Sequence, residues 1–170
     1  MDVVGFGRAM NFSNVPAGGL FLASKQGKPH VCIRLDAPAD ACAVLVYPEG
    51  ASGESYMGQP GVAMFSAWFD GRVLYLDGVT LVLDADPVAF AFTSESIAAG
   101  EIVVTEEGHH LKVRNNGTTA FINLETGELT GPRPPVPPPW VVCLKWSLRS
   151  DLAMETTEIP GCSFPPRQSH

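Results

Sequence analysis

The sequence predicts an all-β fold, a compact antiparallel barrel or sandwich of about ten strands containing β-meanders. Three observations carry that expectation. Apolar residues recur with a period of two along most of the chain. Turn-forming pairs, two Asp-Gly and one Asn-Gly, separate the apolar runs. Glycine (17 residues) and proline (15) are both abundant, as an all-β chain needs for its turns and strand ends.

The elements follow in order. Residues 17–22 read as a strand led by Gly18 and Gly19, and 25–29 as a turn around Gly27. Along 30–35 Val31, Ile33 and Leu35 share one face, and a further strand covers 43–47. Between 62 and 83 three apolar runs are separated by Asp70-Gly71 and Asp77-Gly78. Both central residues of a two-residue hairpin turn need positive φ, so the stretch is expected to be a three-stranded meander. The run 79–83 is nearly all aliphatic, which suggests a strand covered on both faces. Val88, Phe90 and Phe92 line one face of the next run. Residues 93–100 suit a single helical turn with Thr93 or Ser94 as cap and Gly100 as stop. Leu111 and Val113 point inward along 110–114, and Asn116-Gly117 predicts a hairpin into 118–124. The proline-rich segment 131–139 must be extended and reads as a stiff strap. One strand is expected over 140–148, a short helix over 148–156, and a flexible tail over 161–170, so the domain is placed at 1–160.

Composition bounds the function. A chain of 170 residues buries enough surface to fold without a metal or disulfide staple. The formal net charge is −7 and the 11 Lys and Arg residues are scattered singly, which argues against nucleic acid as a partner. No run reaches the ~18 apolar residues of a membrane helix, and residues 1–8 lack the pattern of a secretory signal. Cys32, Cys42, Cys143 and Cys162 show no CxxC spacing and are read as free thiols of a reducing, cytoplasmic compartment. A Cys32–Cys42 disulfide is the alternative.

Two stretches, within 12–55 and 94–130, look alike. Each has a Gly-led strand, a glycine turn, a His-x-x-x-Arg strand (His30 to Arg34, His110 to Arg114) and a strand beginning at Ala43 or Ala120. A three-stranded unit is too small to stand alone, so two fused half-barrels sharing one core would result. The phrases carried by Phe12, Val15, Pro16, Gly18, Phe21 and Ala43, and by Ala120, Asn123, Leu124, Glu125, Thr126 and Gly127, resemble small β-rich modules of tailed phages and bacteria. The resemblance covers about half the chain in pieces. It implies a small β-barrel module without assigned catalysis, and carries over no binding residue. The chain departs from that pattern at Cys32-Ile33-Arg34, and its second stretch lacks the proline.

Candidate chemistry is sparse. His30 and His110 occupy matching positions in the two stretches and are the candidate metal ligands. His109 and His110 follow Glu106 and Glu107, but neighbouring strand residues point to opposite faces. The competing expectation makes His109 and His110 solvent-facing strand residues. Asp84, Asp86 and Glu101 are candidate paired carboxylates for a hydrolase. Trp140, Trp68 and Trp146 could form a sugar-stacking platform, with Trp140 the surface candidate and Trp68 expected in the core. No nucleophile elbow or dinucleotide fingerprint is present, and no cofactor is expected. The favoured reading is a non-enzymatic structural or interaction module that self-associates. A small-ligand or carbohydrate-binding barrel comes second, and a metal-dependent or hydrolytic enzyme third.

Overall fold

A computed structural model describes residues 7–46, 59–69, 71–84 and 88–150, together with the backbone of a last strand over 157–164. The strands are β1 (Arg8–Met10), β2 (Leu20–Lys25), β3 (Lys28–Arg34), β4 (Ala41–Val46), β5 (Gly61–Met64), β6 (Val73–Tyr75), β7 (Val79–Leu83) and β8 (Val88–Ala91). They continue with β9 (Ile102–Thr105), β10 (Gly108–Asn115), β11 (Thr118–Asn123), β12 (Leu129–Thr130), β13 (Trp140–Cys143), β14 (Trp146–Ser150) and β15 (Thr157–Phe164). One helical turn, α1 (Phe65–Trp68), and two 3-10 turns, Phe12–Asn14 and Ser94–Ser96, complete the described elements. The fold is all-β, as the alternation predicts.

Twelve strands form one sheet in the order β1-β6-β2-β3-β4-β5-β10-β9-β13-β8, with β11 on β10 and β12 on β11. The path is open and does not close into a barrel. A second sheet has the order β15-β14-β7.

Two meanders dominate the large sheet, β2-β3-β4 and β9-β10-β11, and their backbones are bonded alike. In the first, the Gly18 N–H donates to the Arg34 carbonyl (2.9 Å) and the Arg34 N–H to that of Gly19 (3.0 Å). In the second, Gly100 donates to Lys112 (2.8 Å) and Lys112 to Glu101 (3.0 Å). Register runs outward from these bonds: Leu20 faces Ile33 and Ile102 faces Leu111. Counted this way, Arg34 stands where Lys112 stands, Cys32 where His110 stands, and Val31 where His109 stands. The expected match of His30 with His110 is therefore corrected by two residues. The β2–β3 hairpin has six register pairs and the β9–β10 hairpin four, so the histidines fall at different heights. Backbone bonds also tie each meander to chain outside it. The Asp36 N–H donates to the Gly127 carbonyl (2.9 Å), and the Arg114 N–H to that of Pro60 (2.9 Å).

Period two distributes the side chains. One face of each meander enters a shared core: Val31, Ile33, Leu35, Ala43 and Leu45 from the first, Leu111, Val113, Ala120 and Ile122 from the second. Trp146 and Leu148 of the small sheet join it. Burying each large aliphatic side chain contributes about 1.5–3 kcal/mol. The opposite faces make two satellite cores. Phe12, Phe21, Phe65, Cys32 and Cys42 lie in one; Ile97, Val103, Phe121, Trp140 and Val142 lie in the other. A cation closes each. Arg34 Nη1 donates to the carbonyls of Phe12 (3.3 Å), Ser13 (2.7 Å) and Val15. Lys112 Nζ donates to those of Ser94 (2.5 Å) and Ile97 (2.8 Å). Each side chain supplies donors to the carbonyls around a 3-10 turn, among them those of Phe12 and Ser94, which also accept the N–H groups of Val15 and Ile97.

Several expectations are corrected. The meander over 62–83 does not form. β5 pairs with β4 and β10, β6 with β1 and β2, and β7 with β14. Gly71 (φ 76°) and Gly78 (φ 74°) do adopt positive φ, but there they re-aim the chain between partners rather than joining adjacent strands. Asp77 lies in that second turn, and Asp70 lies outside the described residues. The expected strand also breaks at Phe65. The Phe65 N–H donates to the Asp40 carbonyl (2.7 Å), Ser66 bonds the Asp40 carboxylate, and the Phe65 ring stacks on Phe12 at 4.2 Å. Those tertiary contacts outweigh local β-propensity. Residues 140–148 divide between β13 and β14, which belong to different sheets. The short helix expected over 148–156 begins instead inside β14, and 151–156 lie outside the described residues. β15 extends to Phe164, into the expected tail. Asn116-Gly117 does form the β10–β11 hairpin, with φ values of 45° and 81°.

Candidate functional site

The three tryptophans do not make one platform. Trp140 is buried at 4% exposure, not superficial, and its Nε1 donates to the Val136 carbonyl of the proline segment (2.8 Å). Trp146 is buried in the shared core and donates to the Gly100 carbonyl (2.8 Å). Trp68 packs, partly buried, on the first satellite core, with Lys25 Nζ 3.7 Å from its ring centroid.

His30 and His110 are likewise separated. His30 is buried edge-on to Phe69 at 5.6 Å, and its Nδ1 lies 3.0 Å from the Lys28 carbonyl oxygen. His110 is not solvent-facing: it is 1% exposed, placed between Val103 and Asn123 on neighbouring strands. Neither of its ring nitrogens has a hydrogen-bond partner among the described residues. Burial lowers its pKa, against the opposing pull of Glu125 and Glu107. No group of three or more His, Cys, Asp or Glu among the described residues could hold a metal ion. Cys32, Cys42 and Cys143 are free thiols. Of the candidate carboxylates, Glu101 accepts the Ala98 N–H (2.8 Å), and Asp86 lies outside the described residues.

Two surface features stand out instead. The first is β8. It lies at one edge of the large sheet and pairs, among the described residues, with β13 alone. Phe90 is 69% exposed and Phe92 68%, and Val88 and Val141 are exposed beside them. Val141 sits opposite Phe90 in the ladder, so these side chains form one apolar patch. Such a strand presents free backbone donors and acceptors next to apolar surface. The period-two pattern locates the face; that β8 has no further strand beside it among the described residues is set by the sheet order, which local alternation does not encode.

The second is a cleft of about 310 Å³ where β7 passes β2 and β3, lined by aliphatic residues together with Thr80, His109 and Glu125. The His109 Nδ1 lies 2.5 Å from Glu125 Oε1, and the His109 backbone N–H donates to Oε2 (3.1 Å). Desolvation works against the Glu125 carboxylate, but these bonds hold its pKa below the ordinary value. No spacing rule joins residues 109 and 125 in sequence. The loop over 123–127 brings them together: the Asn123 Oδ1 accepts the N–H groups of Glu125 (2.9 Å) and Thr126 (3.1 Å). No helix among the described residues is long and apolar enough to cross a membrane. No protein-family model, no curated protein and no solved structure matches this chain.

Proposed function

We propose that the protein is a non-enzymatic structural or interaction module that assembles with copies of itself through the β8 edge. The observation that carries the reading is the uncharged run 88–92, most of it on a strand that pairs on one side with β13 and, among the described residues, with nothing on the other, with Phe90 and Phe92 turned to solvent. Natural edge strands are usually blunted by charge, proline or brevity. β1 carries an exposed Arg8, β12 has two residues, and β15 contains Glu158 and Pro160. β8, four residues long, carries neither a charge nor a proline. An uncharged strand is best complemented by another uncharged strand of equal length, and a second β8, antiparallel about a two-fold axis, supplies one.

The likeness of the two meanders supports reading them as one repeated unit, fused in tandem, with the shared core as the former contact between units. Self-association through a sheet edge would then continue a habit already present inside the chain.

Sedimentation velocity over a wide concentration range tests the assembly. A dimer or larger species is expected, and Phe90→Lys is expected to return it to monomer with its thermal midpoint kept. A monomer at all concentrations overturns the proposal.

A further inference from the structure

We infer that the cleft between the 3-10 turn Ser94–Ser96 and the proline segment binds a free α-amino acid with an aromatic side chain. The inference is independent of the β8 assembly.

The first support is a comparison of the two 3-10 turns. Arg34 bonds the carbonyls of Phe12 and Val15, and Lys112 those of Ser94 and Ile97. Counted from these bonds, Ser94 stands where Phe12 stands, and Glu95 where Ser13 stands. The Phe12 ring is buried and stacks on Phe65. At the matching point the second turn has only the short side chain of Ser94, which lines a cleft of about 480 Å³. That volume is inside the usual range of small-ligand sites. A place that the first turn fills with a phenyl ring of its own borders open space in the second.

The second support is the wall. Phe92, Trp140 and the prolines of 134–138 line the cleft. Proline segments and aromatic rings are complementary surfaces, as the docking of proline-rich peptides in aromatic grooves shows. Fixed φ at each proline keeps that wall in place, so little ordering cost falls on binding. A planar ring would also meet Phe92 in stacked or edge-on contact.

The third support is the charge. Glu95 and Arg133 both line the cleft and both are exposed. The Glu95 carboxyl is held below its ordinary pKa first by its own backbone N–H, then by the Thr93 and Ser94 hydroxyls and the Arg133 guanidinium. The two side chains nevertheless form no ion pair with each other. A carboxylate and a guanidinium that share a cleft without closing on one another suit a ligand bearing both charges, an ammonium for Glu95 and a carboxylate for Arg133. A ligand with a single charge would satisfy one of them and meet the like charge of the other.

The test is an NMR titration of the full chain, observed at the backbone amides of Thr93, Ser94 and Glu95, with L-phenylalanine, phenethylamine and phenylpropionate in parallel. Saturable shifts are expected with L-phenylalanine, and affinities at least tenfold weaker with phenethylamine, which lacks the carboxylate, and phenylpropionate, which lacks the ammonium. Arg133→Gln is expected to erase the advantage of L-phenylalanine over phenethylamine, and Glu95→Gln its advantage over phenylpropionate. Both side chains are exposed, so both variants are expected to keep the thermal midpoint of the parent. Overturning results are the absence of saturable shifts with L-phenylalanine, a singly charged analogue binding as tightly, or an advantage that survives in the corresponding folded variant.

Discussion

The β2-β3-β4 and β9-β10-β11 meanders share strand order, register and a cation that gathers the carbonyls of a preceding 3-10 turn. They differ in what fills the space behind. In the first, Phe12, Phe21 and Phe65 pack ring against ring, and the cation is a guanidinium 5.2 Å from the Phe12 ring centroid. In the second, the same face carries His110 and Asn123, and the cation is an ammonium 5.9 Å from the Phe121 ring centroid. The lesson is a division of labour. The ladder and its two closing glycine bonds set the backbone. The face turned to the shared core must stay apolar, while the opposite face is free to vary provided one side chain satisfies the turn carbonyls.

The sharpest way to break that comparison is at the joint between the regions. Gly127 has φ 74°, and a Cβ there would lie 2.5 Å from the Gly18 nitrogen and 2.6 Å from the Arg34 oxygen. Gly127→Ala is expected to cost about 3 kcal/mol in a urea titration, by overpacking combined with a disfavoured φ. A loss no larger than that of an open turn would show that the joint is not tight. Next come the cations. Lys112→Ala takes the ammonium donor from the Ile97 carbonyl and one of two donors from the Ser94 carbonyl, and should cost about 2–3 kcal/mol. Arg34→Ala should cost less, because its carbonyl site is partly open to water. A reversed ranking would mean that burial does not govern the two sites.

His110 sharpens the contrast with Cys32 through pH. Its folded pKa lies below the ordinary 6.5, so the unfolded chain takes up the proton first. Stability should therefore be full above pH 6.5 and fall as pH drops below it, until the folded pKa is reached. His110→Leu removes the two unpartnered nitrogens. It is expected to stabilise the protein at pH 7 by about 1 kcal/mol and to flatten the acid limb of thermal midpoint against pH. An unchanged acid limb would assign that limb to other groups. The smallest effect belongs to Gly117→Ala. The residue has φ 81° but no atom within 4 Å of a Cβ, so about 1 kcal/mol is expected from backbone conformation alone.

How far the sequence could be read depends on the range of the interaction. Hairpins with continuous alternation on both arms, such as that at Asn116-Gly117, were legible because turn and strands agree locally. The face of Val31, Ile33 and Leu35 was legible for the same reason. Asp77-Gly78 was not, because positive φ fixes a bend while the pairing partners, β2 for one arm and β14 for the other, lie far along the chain. The buried state of His110 escaped because polar residues in alternation normally mark a solvent face. Here the 3-10 turn and proline segment cover that face. The His109–Glu125 pair depends on the shape of the 123–127 loop, which Asn123 alone announces weakly.

The shared core has one more consequence, for synthesis on the ribosome. Its first apolar face is complete once Leu45 has been made, yet the opposing face waits for Ile122. At typical elongation rates roughly eighty further residues take on the order of ten seconds. Until then the nascent polypeptide lacks part of the surface that covers Val31, Ile33 and Leu35, a natural target for a holdase and a vulnerable moment for pairing with the nascent chain of a neighbouring ribosome.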